Sequence, residues 1–340
     1  MFPFVVLAVA FVQCTARSLP NFLVEDEELL KMSKILRAKD VNKAGPGQIL
    51  INYQLQVQSR EGMDSAAKPF FTRVSSELLN KPSYKRFINM MNNFYKEIGI
   101  PEPRVSKKQE REEISLFLDT ILATKPWKIL YKFLQTKNHP FAEDRDTFRN
   151  SIKHLWFDHY SRARGELDTS GFEHVFIGEE DHGMVSGLHN WVRFYMLEKN
   201  PAENFDYKGY NEKKGYVMAG LTFMWGNAFK WNGSILIGTS PEYEMALYTM
   251  CFLSRREKDP CKIELDGIPL SINSYATVQN REVYISTIYP TIRKRTQRKN
   301  KNKPIRKTQR KNKNRLLGLR KKIAIISKIN ALRRQKELVD

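Results

Sequence analysis

The sequence predicts an α+β protein, in which a mainly helical N-terminal part precedes a part that mixes short antiparallel sheets with helices. Apolar residues recur at helical spacing in most segments up to Arg162. After Gly171 the apolar segments become shorter and polar turns separate them, as expected for short strands. Strands and helices do not alternate regularly there, which argues against a doubly wound parallel sheet.

The first residues are typical of a secretory signal peptide. The apolar run over residues 2–12 is too short to span a bilayer, and Cys14, Thr15 and Ala16 are small residues suited to signal cleavage. We therefore predict a signal peptide over residues 1–16 and a secreted, extracellular protein. A buried N-terminal segment is the alternative interpretation.

Helical spacing of apolar residues organises the N-terminal part, residues 17–145, and continues into the part that follows. The predicted helices span residues 21–40, 66–79, 83–98, 112–124, 127–134 and 144–162. In the second part, residues 146–290, short strands are predicted over residues 216–223, 234–237, 262–265 and 283–287. A helix over residues 241–253 should begin with Pro241 in its first turn and Ser240 as its N-cap.

Two cysteines remain if Cys14 is removed with the signal peptide. Cys251 and Cys261 form an even pair in a predicted oxidising compartment, which favours a disulfide over two buried thiols. A bridge that closes so short a loop would stabilise the protein by roughly 2–3 kcal/mol. The sequence contains no CxxC pair or HExxH motif, so it does not indicate a structural or protease-type zinc site.

The positive charge is concentrated at the C-terminal end. The net charge is +20, and the last 50 residues hold 20 of the 57 Lys and Arg but only two of the 37 acidic residues. This tail, residues 291–340, repeats the sequence TQRKNKN at 296–302 and 308–314. Such a run predicts a disordered segment that binds RNA phosphates, anionic glycans or a membrane surface. A tail without a function is the alternative.

Two histidines flank a polar turn over residues 179–183. His174 lies in residues 171–178, where apolar and polar residues alternate as in a half-buried strand. His189 precedes apolar positions that fit a helix face. Two imidazoles brought together in this way would supply a general acid and a general base near neutral pH. A hydrogen-bonded structural role is the alternative for each.

Lys230 is a candidate for stabilising negative charge that develops during a reaction, because Phe229 and Trp231 flank it. An exposed surface lysine is the alternative.

Several motifs in order along the chain resemble the EndoU family of uridylate-specific endoribonucleases. These are FEHVFIGE at 172–179, GLHNW at 187–191, Lys230 with Ser234, IGTSPE at 237–242, and Tyr289 with Pro290. The resemblance covers about residues 25–290 and implies an EndoU-like fold. One departure is SYAT at 274–277, where a tryptophan that is usual in the family is absent.

The resemblance implies a catalytic trio of His174, His189 and Lys230, with His189 as base and His174 as acid. It also implies that Ser234 and Tyr289 contact uracil and ribose. The substrate would be single-stranded RNA containing uridine. Cleavage through the 2′-OH would leave 2′,3′-cyclic phosphate and 5′-OH ends. The alternative is a catalytically silent protein that binds RNA or another polyanion on the same scaffold.

The resemblance further implies a dependence on Mn²⁺, in which the ion aids RNA binding or the active conformation rather than the chemical step. Glu173 and Glu179 match acidic positions linked to this dependence, so we take them as candidate metal ligands. We expect the protein to be a monomer.

Overall fold

The computed structural model describes residues 19–20, 22–57, 64–163, 165–257 and 259–293. The predicted signal peptide, and the predicted tail beyond residue 293, lie outside the described residues. Helices and short sheets are mixed, as the sequence predicts. The helices are α1 Asp26–Ala38, α2 Ser76–Leu79, α3 Pro82–Asn89, α4 Lys107–Leu122, α5 Lys125–Thr136, α6 Arg145–Phe157, α7 Trp191–Lys199 and α8 Pro241–Arg255.

The strands form three sheets in the described part of the chain. They are β1 Ile49–Ile51, β2 Phe71–Val74, β3 Glu179–Asp181, β4 Met184–Ser186, β5 Phe205–Lys214, β6 Met218–Trp225, β7 Ala228–Leu236, β8 Cys261–Leu265, β9 Ile268–Gln279 and β10 Glu282–Ile292. β1 pairs with β2, a second sheet has the order β10-β9-β8, and a third has the order β3-β4-β7-β6-β5. Every pair is antiparallel except β4 with β7.

The predicted helix over residues 66–79 is wrong in its first part. β2 occupies Phe71–Val74, and only Ser76–Leu79 is helical. The cause is tertiary: the backbone N–H groups of Phe70 and Phe71 donate to the carboxylate of Glu198, at 2.6 and 3.0 Å. Contacts with distant residues therefore decide the backbone here, rather than the local spacing of apolar residues.

α8 is the central element of the core, because it is buried from Pro241 to Leu253. Ser240 caps it as predicted, with Oγ accepting a hydrogen bond from Tyr243 N at 3.2 Å. Near its end Cys251 faces Cys261 at the start of β8, with their Cα atoms 5.5 Å apart. The described residues form one compact unit. None of their helices is both long enough and apolar enough to cross a bilayer.

The strand predicted around His174 is wrong. Glu173–Ile177 forms a π-helical turn, which Gly178 ends with a φ of 89°. The alternation of polar and apolar residues misled because Glu173 and His174 are both buried. Because these polar residues are buried, the alternation does not separate a core face from a face in contact with solvent.

Candidate active site

His174 projects from the π-helical turn into a buried network of polar groups. Its Nδ1 lies 2.7 Å from Oε2 of Glu179, which follows the turn. The other carboxylate oxygen of Glu179 accepts a hydrogen bond from Thr169 Oγ1. Arg162 approaches the same carboxylate, with Nε 3.6 Å from Oε2. His174 is therefore held by a carboxylate that is itself fixed by two further side chains.

His189 stands immediately before α7, as the sequence predicts. The side chain of Asn190 caps that helix by accepting from Val192 N and Arg193 N, both at 3.0 Å. The Nδ1 atom of His189 lies 2.8 Å from the backbone oxygen of Ser234. Because a carbonyl oxygen can only accept, Nδ1 carries the hydrogen and the neutral ring presents Nε2 as an acceptor.

Backbone hydrogen bonds join the two histidine segments directly. Leu188 N donates to His174 O at 3.0 Å, and His189 N donates to Val175 O at 2.8 Å. Gly187 makes this approach possible: its φ is +66°, and an added Cβ would lie 1.7 Å from His174 O. No residue larger than glycine fits this position without moving the chain.

Lys230 and Ser234 both come from β7, where the pairing with β6 shifts register between them, and both line the same cavity. The Lys230 ammonium donates to Gly187 O at 3.0 Å, which places it beside the loop between the histidines. Tyr289 comes from β10, and its ring centroid is 5.4 Å from that of His189. The structure thus brings His174, His189, Lys230, Ser234 and Tyr289 to one cavity of 440 Å³.

Other polar residues that line this cavity were not among the predicted site residues. Arg162 is one of them, and its guanidinium donates to Tyr160 Oη at 2.9 Å and to Ser286 O. Glu212 and Asn232 also line the cavity. Charged or amide residues on strands carry no local pattern that separates a site from a solvated face.

Beyond the cavity, Tyr275 extends the aromatic surface. Its ring stacks on that of Tyr289, with centroids 6.3 Å apart and planes 18° apart, and 44% of the residue is exposed. It stands within the SYAT segment.

The charges around the site set different pKa directions for its groups. Burial lowers the pKa of His189 well below its ordinary value, and Lys230 and His174 lower it further. Burial also lowers the pKa of His174, but the carboxylate of Glu179 opposes that shift. Burial lowers the pKa of Lys230 to about 8. His189 is thus the more readily neutral imidazole, suited to accept a proton.

Glu173 and Glu179 do not have the properties of a manganese site. Burial raises the pKa of Glu173 well above its ordinary value, as do the carboxylates of Glu179 and Glu102, which disfavours the ionised form that binds a metal. Glu179 is already bonded to His174 and Thr169. Among the described residues no group of three or more His, Cys, Asp or Glu side chains is placed to hold a metal. The manganese dependence stays a prediction without an identified site.

Comparison with known proteins shows which family this chain resembles. The family model described as Endoribonuclease XendoU matches residues 28–290. Uridylate-specific endoribonucleases of Mus musculus and Homo sapiens are each 38% identical over 276 residues, covering 78% of this chain and 66% of their own length. This chain therefore spans slightly less than two thirds of those relatives.

A solved structure supports the same assignment. The chain is 33% identical to XendoU, described as a splicing independent snoRNA processing endoribonuclease, with a TM-score of 0.66. The match covers 81% of this chain and 99% of that one. The α+β fold predicted from the sequence and the resemblance to EndoU proteins are confirmed. The chain belongs to the Endoribonuclease XendoU family.

Proposed function

We propose that this protein is an endoribonuclease that cleaves single-stranded RNA at uridylates by transesterification through the 2′-OH. The observation that carries the proposal is the convergence of His174, His189 and Lys230 on one cavity, with the two imidazoles held by different partners. Two imidazoles and an ammonium are the groups that this reaction requires.

In the proposed reaction, Nε2 of His189 removes the proton from the 2′-OH of the ribose. The 2′-oxygen attacks the adjacent phosphorus, and the bond from phosphorus to the 5′-oxygen breaks. His174 donates its proton to that leaving oxygen, and Lys230 stabilises the negative charge on the phosphorane oxygens. The products are a 2′,3′-cyclic phosphate end and a 5′-OH end. Because nucleophile and phosphorus share one ribose, proximity supplies much of the rate.

The same proposal assigns the base pocket to Ser234 and Tyr289. The Ser234 side chain is buried at the cavity wall, and its backbone oxygen holds His189. One residue thus lies close both to the proposed base and to the site where uracil would be recognised. This arrangement would couple recognition of uridine to the position of the 2′-OH.

The proposal is tested with a short RNA that contains one uridine, by analysis of the ends left after incubation. His174→Ala, His189→Ala and Lys230→Ala should each abolish cleavage without loss of fold, as judged by circular dichroism. His182→Ala is the matched control, because that side chain is 99% exposed and lies outside the cavity. A 2′-deoxyuridine substrate should resist cleavage. Cleavage of that substrate would exclude the 2′-OH route, and RNA binding without any cleavage would favour the silent polyanion-binding alternative.

The proposal also covers the location of the protein, its oligomeric state, its disulfide and the role of its tail. We infer secretion after removal of residues 1–16, a monomeric enzyme, a Cys251–Cys261 disulfide, and a tail over residues 291–340 that binds RNA or other polyanions. N-terminal sequencing of the exported protein would test the removal of residues 1–16. Mass spectrometry without reduction would test the Cys251–Cys261 disulfide. Deletion of residues 294–340 should reduce the salt dependence of RNA affinity. Titration with Mn²⁺ would test the implied metal dependence.

A further inference from the structure

A second cavity, named here the Arg193 cavity, borders the segment that carries His174, because Ile177 and Gly178 line it. It has a volume of 230 Å³, and its lining includes Lys96, Arg104, Ile177, Arg193, Glu203 and Trp225. None of the residues that line it also lines the catalytic cavity. It is therefore a separate feature of the molecule.

Arg193 is the most buried charged residue that lines this cavity. It is only 8% exposed, and its Nε donates to Ile177 O at 3.2 Å. Its guanidinium carbon lies 5.2 Å from the centre of the Trp225 ring. Within the described residues, neither terminal nitrogen makes a hydrogen bond and no carboxylate lies within ion-pair distance. The two terminal nitrogens therefore remain available to a ligand, and an anion that reached them would give this largely buried guanidinium a directly bonded counter-ion.

The other charged side chains that line the cavity are also mainly cations. Lys96 donates to Trp225 O at 3.0 Å and lies 4.9 Å from the same ring, while its ion pair with Glu180 measures 2.6 Å. Arg104 is exposed at the lining. Glu203 is the one carboxylate that lines the cavity, and it accepts a hydrogen bond from Trp225 Nε1 at 2.9 Å. Because Glu180 already neutralises Lys96, Arg193 and Arg104 face Glu203 alone, and this surplus of one positive charge favours an anion.

The arrangement of the charged groups indicates which class of anion the cavity would bind. The Trp225 ring is close to two cations, so it is poorly placed to stack on a nucleobase. A guanidinium with two unused nitrogens matches the oxygens of a tetrahedral anion. We propose that the Arg193 cavity binds a phosphate group, either as free inorganic phosphate or as a phosphate carried by RNA.

The position of the cavity gives such binding a route to the catalytic site. Arg193 holds Ile177 O at the end of the π-helical turn, and Gly178 then leads to Glu179, which bonds to His174. Lys96 also bonds to this region, since Glu180 N donates to Lys96 O at 2.6 Å. The proposal itself concerns binding, so it stands or falls independently of the proposed ribonuclease activity.

The test is calorimetric titration of the full chain with inorganic phosphate at constant ionic strength. The wild type should bind two phosphates, one in each cavity, and Lys230→Ala should weaken the catalytic one. Arg193→Gln should lose the other site, or weaken it by at least about tenfold. Arg145→Gln is the matched control, because Arg145 also lies over an aromatic ring, 5.9 Å from the centre of Tyr131. Equal phosphate binding by Arg193→Gln and Arg145→Gln would overturn the proposal.

Two additions complete the experiment. If Arg193→Gln does not fold, Arg193→Lys keeps the charge without the fork of nitrogens and should still weaken the site by about tenfold. Unchanged phosphate binding in Arg193→Lys would then count against the proposal. A 2′-deoxyuridine oligonucleotide with or without a 5′-phosphate distinguishes the sources. If Arg193→Gln weakens only the phosphorylated oligonucleotide, the ligand is the end of an RNA; if it weakens neither, the ligand is free phosphate.

Discussion

His174 and His189 face the same cavity, but they are held by chemically different partners. The Nδ1 of His174 lies 2.7 Å from the carboxylate of Glu179, and that of His189 lies 2.8 Å from the carbonyl oxygen of Ser234. A carboxylate favours the protonated imidazole because it offsets its charge. A carbonyl oxygen mainly fixes which nitrogen carries the hydrogen.

The remaining neighbours increase this difference. Both imidazoles are buried, and burial lowers both pKa values. Neighbouring cations lower both pKa values further, but for His174 the charge of Glu179 opposes the shift, whereas no carboxylate of the described residues opposes it for His189. At a given pH, His174 therefore keeps its proton more readily than His189. Two identical side chains acquire the separate roles of acid and base from their surroundings.

The largest expected effect comes from breaking the connection between the two histidine segments. Gly187→Ala would place a Cβ 1.7 Å from His174 O, in a backbone conformation that disfavours side chains. Either the turn around His174 or the loop before His189 must move. We expect loss of detectable cleavage together with a lower melting temperature, measured on the single-uridine RNA and by thermal denaturation.

Gly183→Ala is the control for backbone strain alone. Gly183 has a φ of +76°, but no atom lies within 4 Å of an added Cβ. This variant should lose about 1–2 kcal/mol of unfolding free energy and keep its activity. Equal activity in Gly187→Ala and Gly183→Ala would show that the approach of the two segments is not needed for catalysis.

The contrast between the histidines also marks the limit of what the sequence predicts. The helix after His189 was predicted correctly because its apolar positions face a core. The prediction of a strand around His174 was wrong, because Glu173 and His174 are buried polar residues and their alternation with apolar residues does not mark a strand. The partners that separate the two imidazoles, Glu179 and the backbone oxygen of Ser234, are set by tertiary contacts. Motif resemblance identified the residues at the site, but local patterns do not encode these distances.

A smaller effect should result from removing the charge that distinguishes His174. Glu179→Gln keeps a side-chain oxygen that accepts from Nδ1 but removes the carboxylate that raises the pKa of His174. With that charge gone, the pKa of His174 falls further below its ordinary value. His174 acts as an acid, so kcat/KM should decline at lower pH on the alkaline side of its profile. The acidic side, where His189 gains its proton, should move much less.

The measurement is kcat/KM as a function of pH, since this ratio reports the pKa values of the free enzyme. Lys230 also titrates on the alkaline side, with a pKa of about 8. Lys230→Arg removes that contribution, because a guanidinium stays charged, and therefore serves as the background for comparing Glu179 with Gln. An alkaline limb that does not move in Glu179→Gln would show that His174 is not the group that donates the proton.

The smallest effect is expected from Ser234→Ala, which tests the surroundings of His189. The bond from His189 Nδ1 goes to the backbone oxygen of residue 234, so the substitution leaves it in place. The acidic limb of the pH profile should therefore stay where it is. Loss of the hydroxyl should lower kcat/KM for uridine by about five- to tenfold, mainly through KM, because one hydrogen bond to the base is lost. A parallel assay on a cytidine substrate should show a smaller loss. A shifted acidic limb would mean that the side chain, and not the backbone, sets the protonation of His189.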